Sequence, residues 1–249
     1  MTVKMFDDFL GNELDEKIWF PFYLPQWSSR KNSIPSYRIK DSVLTLYIAD
    51  NQKPWCQEWN GDIRVSNLQS GVFSGPIGSS EGQHHFTEGL VVREEQENRI
   101  KFSFQYGYLE MRARCRISDE NVAALWLIGT EEDKENSSEL CLFELKGSNV
   151  KEHSAIIGFG IHPFGDPKLK ECFFEKEFDV NVREWNTFSL NWQQDKVDFY
   201  INGEFVQTIS QSPQYPMQFM LNLYDLANIK NESNQFDIDY IKVQENRGE

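Results

Sequence analysis

The chain has 249 residues, 39% of them hydrophobic, with 15 Gly besides, which supplies a sizeable core and excludes a disordered chain. Its longest apolar run, Val122 to Gly129, falls far short of the ~20 residues a membrane-spanning helix needs, and the opening segment Met1 to Asp8 lacks the apolar centre of a signal peptide. A net charge of −14 repels phosphate backbones, so neither a membrane nor nucleic acid is an expected partner.

Taken in chain order, the expected elements are strands. Phe6–Phe9 opens the series, followed by Val43–Ile48 and Leu90–Arg93. In Leu109–Ile117 every second residue is apolar (Leu109, Met111, Ala113, Cys115, Ile117), the mark of a half-buried strand. Ala123–Ile128 comes next, then the acidic stretch from Glu131 to Ser138, read as a solvated loop, then Ser138–Leu145. Ala155–Ile161 and Thr187–Trp192 precede a hairpin whose arms, Val197–Ile201 and Glu204–Ile209, flank Asn202-Gly203, a dipeptide suited to a type I′ turn. Gln218–Leu223 and Phe236–Val243 close the series. No long window keeps helical periodicity, so any helix is short and peripheral. With no linker or repeat, residues 1–249 read as one domain: an all-β, two-sheet antiparallel sandwich with its terminal strands paired.

Cys56, Cys115, Cys141 and Cys172 are scattered without metal-ligand or disulfide spacing and read as reduced thiols, which fits a cytoplasmic location; removal of a signal segment would make the protein secreted. Chemistry concentrates in Ser138–Leu145, where Glu139 and Glu144 interrupt an apolar strand. Residues five apart on a regular strand face opposite ways, but one β-bulge returns both to the same face. The two side chains can then bring their carboxyls within roughly 6 Å, the separation of a retaining glycosidase. On spacing alone, the alternative is a solvated Glu139 and a Glu144 paired with a nearby cation.

This segment resembles the catalytic strand of glycoside hydrolase family 16, whose bulged signature E-x-D-x-x-E reads here E-L-C-L-F-E. The likeness continues through Tyr106 to Arg112, through Ala123 to Gly129, through the Phe188 to Gly203 hairpin, and through Leu221 to Leu223 with Asp237 to Val243. It implies a concanavalin A-like jelly roll with a concave cleft, Glu139 as nucleophile and Glu144 as acid/base. Cys141 stands where the family has its central Asp, and a thiol is a weaker hydrogen-bonding partner there.

The same resemblance sets Trp126 on the cleft-lining strand and His162 at a cleft position. Asn222 lies between Leu221 and Leu223 and needs amide partners, a sugar hydroxyl among them. Trp192 and Trp55 are further substrate-binding candidates, Trp192 with a strong claim to the core and Trp55, beside Trp59, on a loop. His84-His85 lacks further ligands at zinc spacing. The resemblance also implies a structural Ca²⁺ with Asp239 as a ligand, and no cofactor for catalysis.

The expectation is therefore a monomeric, retaining endo-acting hydrolase of β-glucan, with β-1,3 or mixed β-1,3/1,4 linkages, whose partner is a polysaccharide or oligosaccharide. The alternatives are a lectin-like binding protein on the same fold, and a transglycosylase in which a sugar hydroxyl replaces water.

Overall fold

A computed structural model describes residues 2–227 and 234–245. Sixteen strands run through the described residues. The first eight are β1 (Val3–Asp7), β2 (Ser36–Lys40), β3 (Val43–Tyr47), β4 (Arg64–Gln69), β5 (Gly71–Val72), β6 (Arg99–Ile100), β7 (Gly107–Arg116) and β8 (Asn121–Gly129). The rest are β9 (Glu139–Lys146), β10 (Ala155–His162), β11 (Cys172–Phe178), β12 (Asn186–Trp192), β13 (Val197–Ile201), β14 (Glu204–Ile209), β15 (Met217–Asp225) and β16 (Gln235–Gln244). The one α-helical turn among them is α1 (Gln57–Asn60), and no helix of the described residues is long and apolar enough to cross a membrane.

One antiparallel sheet has the order β14-β13-β12-β7-β16-β3-β2, with β1 also pairing β16; the other has the order β11-β10-β9-β8-β15-β4. The end-to-end pairing of β1 with β16, Val3 opposite Gln244, joins the first and last described strands. Between the sheets lies the main core, to which the alternating residues of β7 contribute Leu109, Met111, Ala113 and Cys115. Phe143 of β9 meets Phe188 of β12 across the gap, ring centroids 4.4 Å apart.

A second apolar cluster covers the other face of the six-stranded sheet. It takes the opposite parity of β8, namely Ala124, Trp126 and Ile128, and packs them under Tyr23, Trp27, Trp55, Leu90 and Val92 from the loops. Burial on both faces is why β8 reads as a continuous apolar run instead of an alternation.

The hairpin turn at Asn202-Gly203 has φ of 51° and 80°, as the dipeptide predicts. Leu90–Arg93 departs from expectation: it is a loop, and its apolar residues Leu90 and Val92 fill the second cluster without pairing into a sheet. β4 was hidden by its polar sequence. Its residues are all buried, and Arg64 is neutralised by Asp225 of β15, to which its Nε donates at 2.8 Å.

Candidate active site

The strand β9 carries the bulge that the spacing of its two glutamates demands. On the β8 side Leu125 stands opposite Phe143, but the next residue, Trp126, stands opposite Cys141. On the β10 side Gly158 faces Glu144 and Gly160 faces Cys141. Leu142 is thus the extra residue, and it turns into the main core together with Phe143, while Cys141 joins the opposite cluster. Glu139, Cys141 and Glu144 consequently share one face. Glycine opposite them leaves room: a Cβ at Gly158 would come 3.3 Å from the Glu144 Cβ, and Gly160 sits at φ 142°, where a side chain is strained.

Over that face opens a cavity of about 870 Å³, lined by Glu139, Glu144, Trp126, His162 and Tyr224 from the sheet and by His84 from a loop. His162 stands opposite Glu139 in the β9–β10 ladder. Its ring stacks on Phe173 at 4.4 Å and its Nδ1 lies 2.8 Å from Oε1 of Glu171. Lys146 approaches Glu144 to 3.7 Å and Glu175 to 2.8 Å, a cation shared by two carboxylates.

Burial, then repulsion from Glu144, pushes the Glu139 carboxyl up to about 8, against a hydrogen bond from the Cys141 thiol that favours ionisation. Glu144 is also raised by burial, with Lys146 opposing the shift. Cys141 is fully enclosed, and burial followed by its two carboxylate neighbours holds the thiol well above its ordinary value, hence neutral. The pair therefore retains a proton at pH values where isolated carboxylates have lost theirs, the state needed by a site that pairs an ionised nucleophile with a protonated acid.

The other expected site residues divide. Trp126 lines the cavity as expected, its indole held by Asn222. Asn222 itself is fully buried, accepting from Trp126 Nε1 at 2.5 Å and donating to Asn67 Oδ1 at 2.7 Å, so its amide is used inside the protein and is not free for a sugar. Trp192 is fully buried in the main core, edge-on to Phe104, because its parity on β12 matches Phe188 and Leu190. Trp55 is 1% exposed; its Nε1 donates to Asn60 and its ring meets Tyr23 edge-on at 4.6 Å, so it supports the cavity from below and grips nothing.

Asp239 faces outward on β16, where Arg112 Nη1 donates to its Oδ2 at 2.5 Å. That guanidinium already neutralises the carboxylate, and the described residues contain no group of three or more His, Cys, Asp or Glu able to hold a metal. These residues do not fit the expected Ca²⁺ site.

Three cavity residues are not assigned to the site by the sequence pattern: His84, Glu131 and Phe164. The acidic stretch is a loop between β8 and β9, but it is not simply solvated. Glu131 lines the cavity, and burial pushes its carboxyl up to about 8.

Comparison with known proteins shows the following likenesses. The profile of Glycosyl hydrolases family 16 matches residues 79–242. A "GlcNAc[alpha]1-4Gal releasing endo-[beta]-galactosidase" from Clostridium perfringens is similar with TM-score 0.84 and 25% identity, covering 97% of this chain and 62% of that one. A laminarinase from Flavobacterium sp. UMI-01 is similar with TM-score 0.65 and 19% identity, covering 98% of this chain and all of that one. The "Glucan endo-1,3-beta-glucosidase A1" of Niallia circulans is 21% identical over 216 residues, 84% of this chain and 29% of that protein. The chain spans less than a third of the length of the curated relatives it matches.

Proposed function

The chain belongs to glycosyl hydrolases family 16, and from that membership we propose that it is a retaining, endo-acting glycoside hydrolase of β-glucan, with β-1,3 or mixed β-1,3/1,4 linkages. The observation that carries this reading is the bulge at Leu142, through which two carboxyls of raised proton affinity share one face of the cavity.

In this reading the Glu139 carboxylate attacks the anomeric carbon as the glycosidic C–O bond breaks, and Glu144 gives its proton to the departing oxygen. Glu144, now ionised, takes a proton from water, whose oxygen displaces Glu139 from the sugar and leaves the anomeric configuration as it began. In the ligand-free cleft burial favours the proton on Glu139. The leaving oxygen must therefore draw the pair's single proton to Glu144, and the Cys141 thiol supports that state by hydrogen-bonding the Glu139 carboxylate. Trp126, 4% exposed, lines the cavity beside the bound sugar, and no cofactor takes part.

One observation favours a second substrate reading. The chain superposes more closely on the endo-β-galactosidase than on the laminarinase, TM-score 0.84 against 0.65, which supports a galactose-containing glycan as the alternative polymer.

The test is reducing-end release by the wild type and Glu144→Gln on laminarin, lichenan and a GlcNAcα1-4Gal-terminated β-galactoside, from about pH 4 to about pH 9. Release that disappears in the variant, with the β anomer appearing first by NMR, supports the hydrolase and names its polymer. Binding without release by the wild type leaves the lectin-like function instead.

A further inference from the structure

One wall of the cavity is built by residues that the two carboxyls do not require. His84, Glu131 and Phe164 all line it, and all three have left-handed backbone, with φ of 53°, 62° and 42°. Non-glycine residues adopt this region only at a backbone cost, so three at one wall mark a conformation that the surrounding structure enforces.

The enforcement is visible. Gly165 donates its N–H to Ser137 Oγ at 2.9 Å, tying the loop after β10 to the loop after β8; a Cβ there would come 2.6 Å from that oxygen. Tyr215 anchors both loops, donating to Asp166 Oδ2 at 3.0 Å and accepting the Ser138 N–H at 2.9 Å. The backbone N–H of His84 acts on the Glu131 carboxyl, opposing part of the shift that burial causes. The His84 ring lies 5.2 Å from Trp126 and 5.3 Å from Phe164.

Phe164 remains 53% exposed despite this bracing. Its ring stacks beside His162, which stands opposite Glu139, so an apolar surface of fixed orientation continues from the sheet-borne part of the site up the wall. Phe164 is thus an exposed aromatic at the cavity rim, braced by His84 and His162 and with half its surface open. Burial also holds the neighbouring polar groups neutral: Glu131 is pushed up to about 8 and His84 down to about 4, so at pH 7 the wall presents a carboxylic acid and an uncharged imidazole.

The geometry points to a sugar-ring subsite on this wall, in which Phe164 stacks on the C–H face of a neutral pyranose and Glu131 hydrogen-bonds one of its hydroxyls. It rests on the reading of the cleft as a glycan site and adds to it residues that select the substrate without touching the reacting bond. A pyranose offers both an apolar face and a ring of hydroxyls, the combination this wall matches.

The experiment is calorimetric binding of laminarihexaose, a lichenan tetrasaccharide and a GlcNAcα1-4Gal-terminated β-galactoside to Glu144→Gln, alone and combined with wall variants. Phe164→Ala and Glu131→Ala should each weaken the bound glycan about threefold to tenfold. Glu131→Gln, which keeps a neutral side chain able to donate, and Phe164→Trp, which keeps the aromatic face, should stay within about twofold. In the active enzyme the two alanine variants should raise KM by the same factors with kcat nearly unchanged. Unaltered affinity in both alanine variants overturns the subsite and leaves the hydrolase intact. Affinity that depends on Phe164 and Glu131 in a wild type that cleaves none of the glycans keeps the subsite and removes the hydrolase. Absence of binding to all three removes both.

Discussion

The indole of Trp126 is oriented by Asn222, whose Oδ1 accepts its N–H at 2.5 Å inside a layer that water does not reach. Asn222 donates in turn to Asn67, directly opposite it on β4, so one amide row crosses three strands from the edge to the cavity. Asn222→Leu removes both bonds and leaves the indole N–H and the Asn67 Oδ1 buried without those partners, while the Asn67 Nδ2 still donates to the Phe22 carbonyl oxygen. Each orphaned group costs about 1–3 kcal/mol, so the variant should lose roughly 2–4 kcal/mol of stability in denaturant unfolding. A loosened Trp126 should also raise KM for the cleaved glycan severalfold. A variant as stable as wild type with unchanged KM would show that the row neither supports the fold nor aims the indole.

Which parts of this site were legible follows from periodicity. Glu139 and Glu144 stood out because carboxylates are foreign to an apolar strand, and the bulge followed from their five-residue spacing, which a regular pleat cannot accommodate on one face. Trp126 and Trp192 are distinguished by parity alone: one shares a face with Ala124 and Ile128, the other with Phe188 and Leu190. Trp55 misled because its polar neighbours describe a local loop, whereas its burial is set by Tyr23 and Phe86 far away in the chain. Glu131, His84 and Phe164 were illegible for the same reason in stronger form. They meet through irregular loops, and strand periodicity says nothing about how such loops fold onto one another.

Stability should fall as pH rises through the range where Glu139 resists ionisation. The folded chain holds this proton up to about 8, while an unfolded glutamate releases it near 4.3, so between those values the folded state binds more protons and loses ground with each pH step. Glu139→Gln removes the penalty. Its stability should match the wild type below about pH 4 and exceed it increasingly up to about pH 8, by a few kcal/mol. The same titration should give kcat/KM of the wild type an alkaline limb near pH 8, where the pair gives up its last proton. Melting curves of wild type and Glu139→Gln that coincide across the whole range would show that the carboxyl is not held protonated.

Cys141 occupies the middle of the carboxyl row, buried and neutral, and its thiol serves the pair through the hydrogen bond to Glu139. Cys141→Ala deletes a donor that favours the ionised carboxyl. The alkaline limb should move to higher pH, and kcat/KM at pH 7 should drop about tenfold, the effect of one weak charge-assisted hydrogen bond. Cys141→Ser keeps a donor and should retain the wild-type profile. Cys141→Asp puts a third carboxyl among two that already repel, so it should raise the titration of the group further. An alanine variant with an unshifted pH profile would reduce the thiol to a packing role.

The rim charges make a separate statement about which polymers can enter. Glu81 and Glu132 line the cavity and are exposed, against a single lining lysine, Lys134, so an approaching glycan meets a net negative field. Exposed carboxylates act through solvent and are screened by salt, which limits the discrimination they can exert. Whichever β-glycan is cleaved, its carboxymethylated form has the same linkages with added negative charge. At low salt its kcat/KM should be about tenfold lower than that of the parent polymer, and the gap should narrow to about twofold near 0.5 M salt as screening shortens the field. Glu81→Gln with Glu132→Gln should close the low-salt gap without affecting the neutral polymer. Discrimination that survives both high salt and the double variant would instead be steric, arising from the bulk of the carboxymethyl groups against the His84 and Phe164 wall.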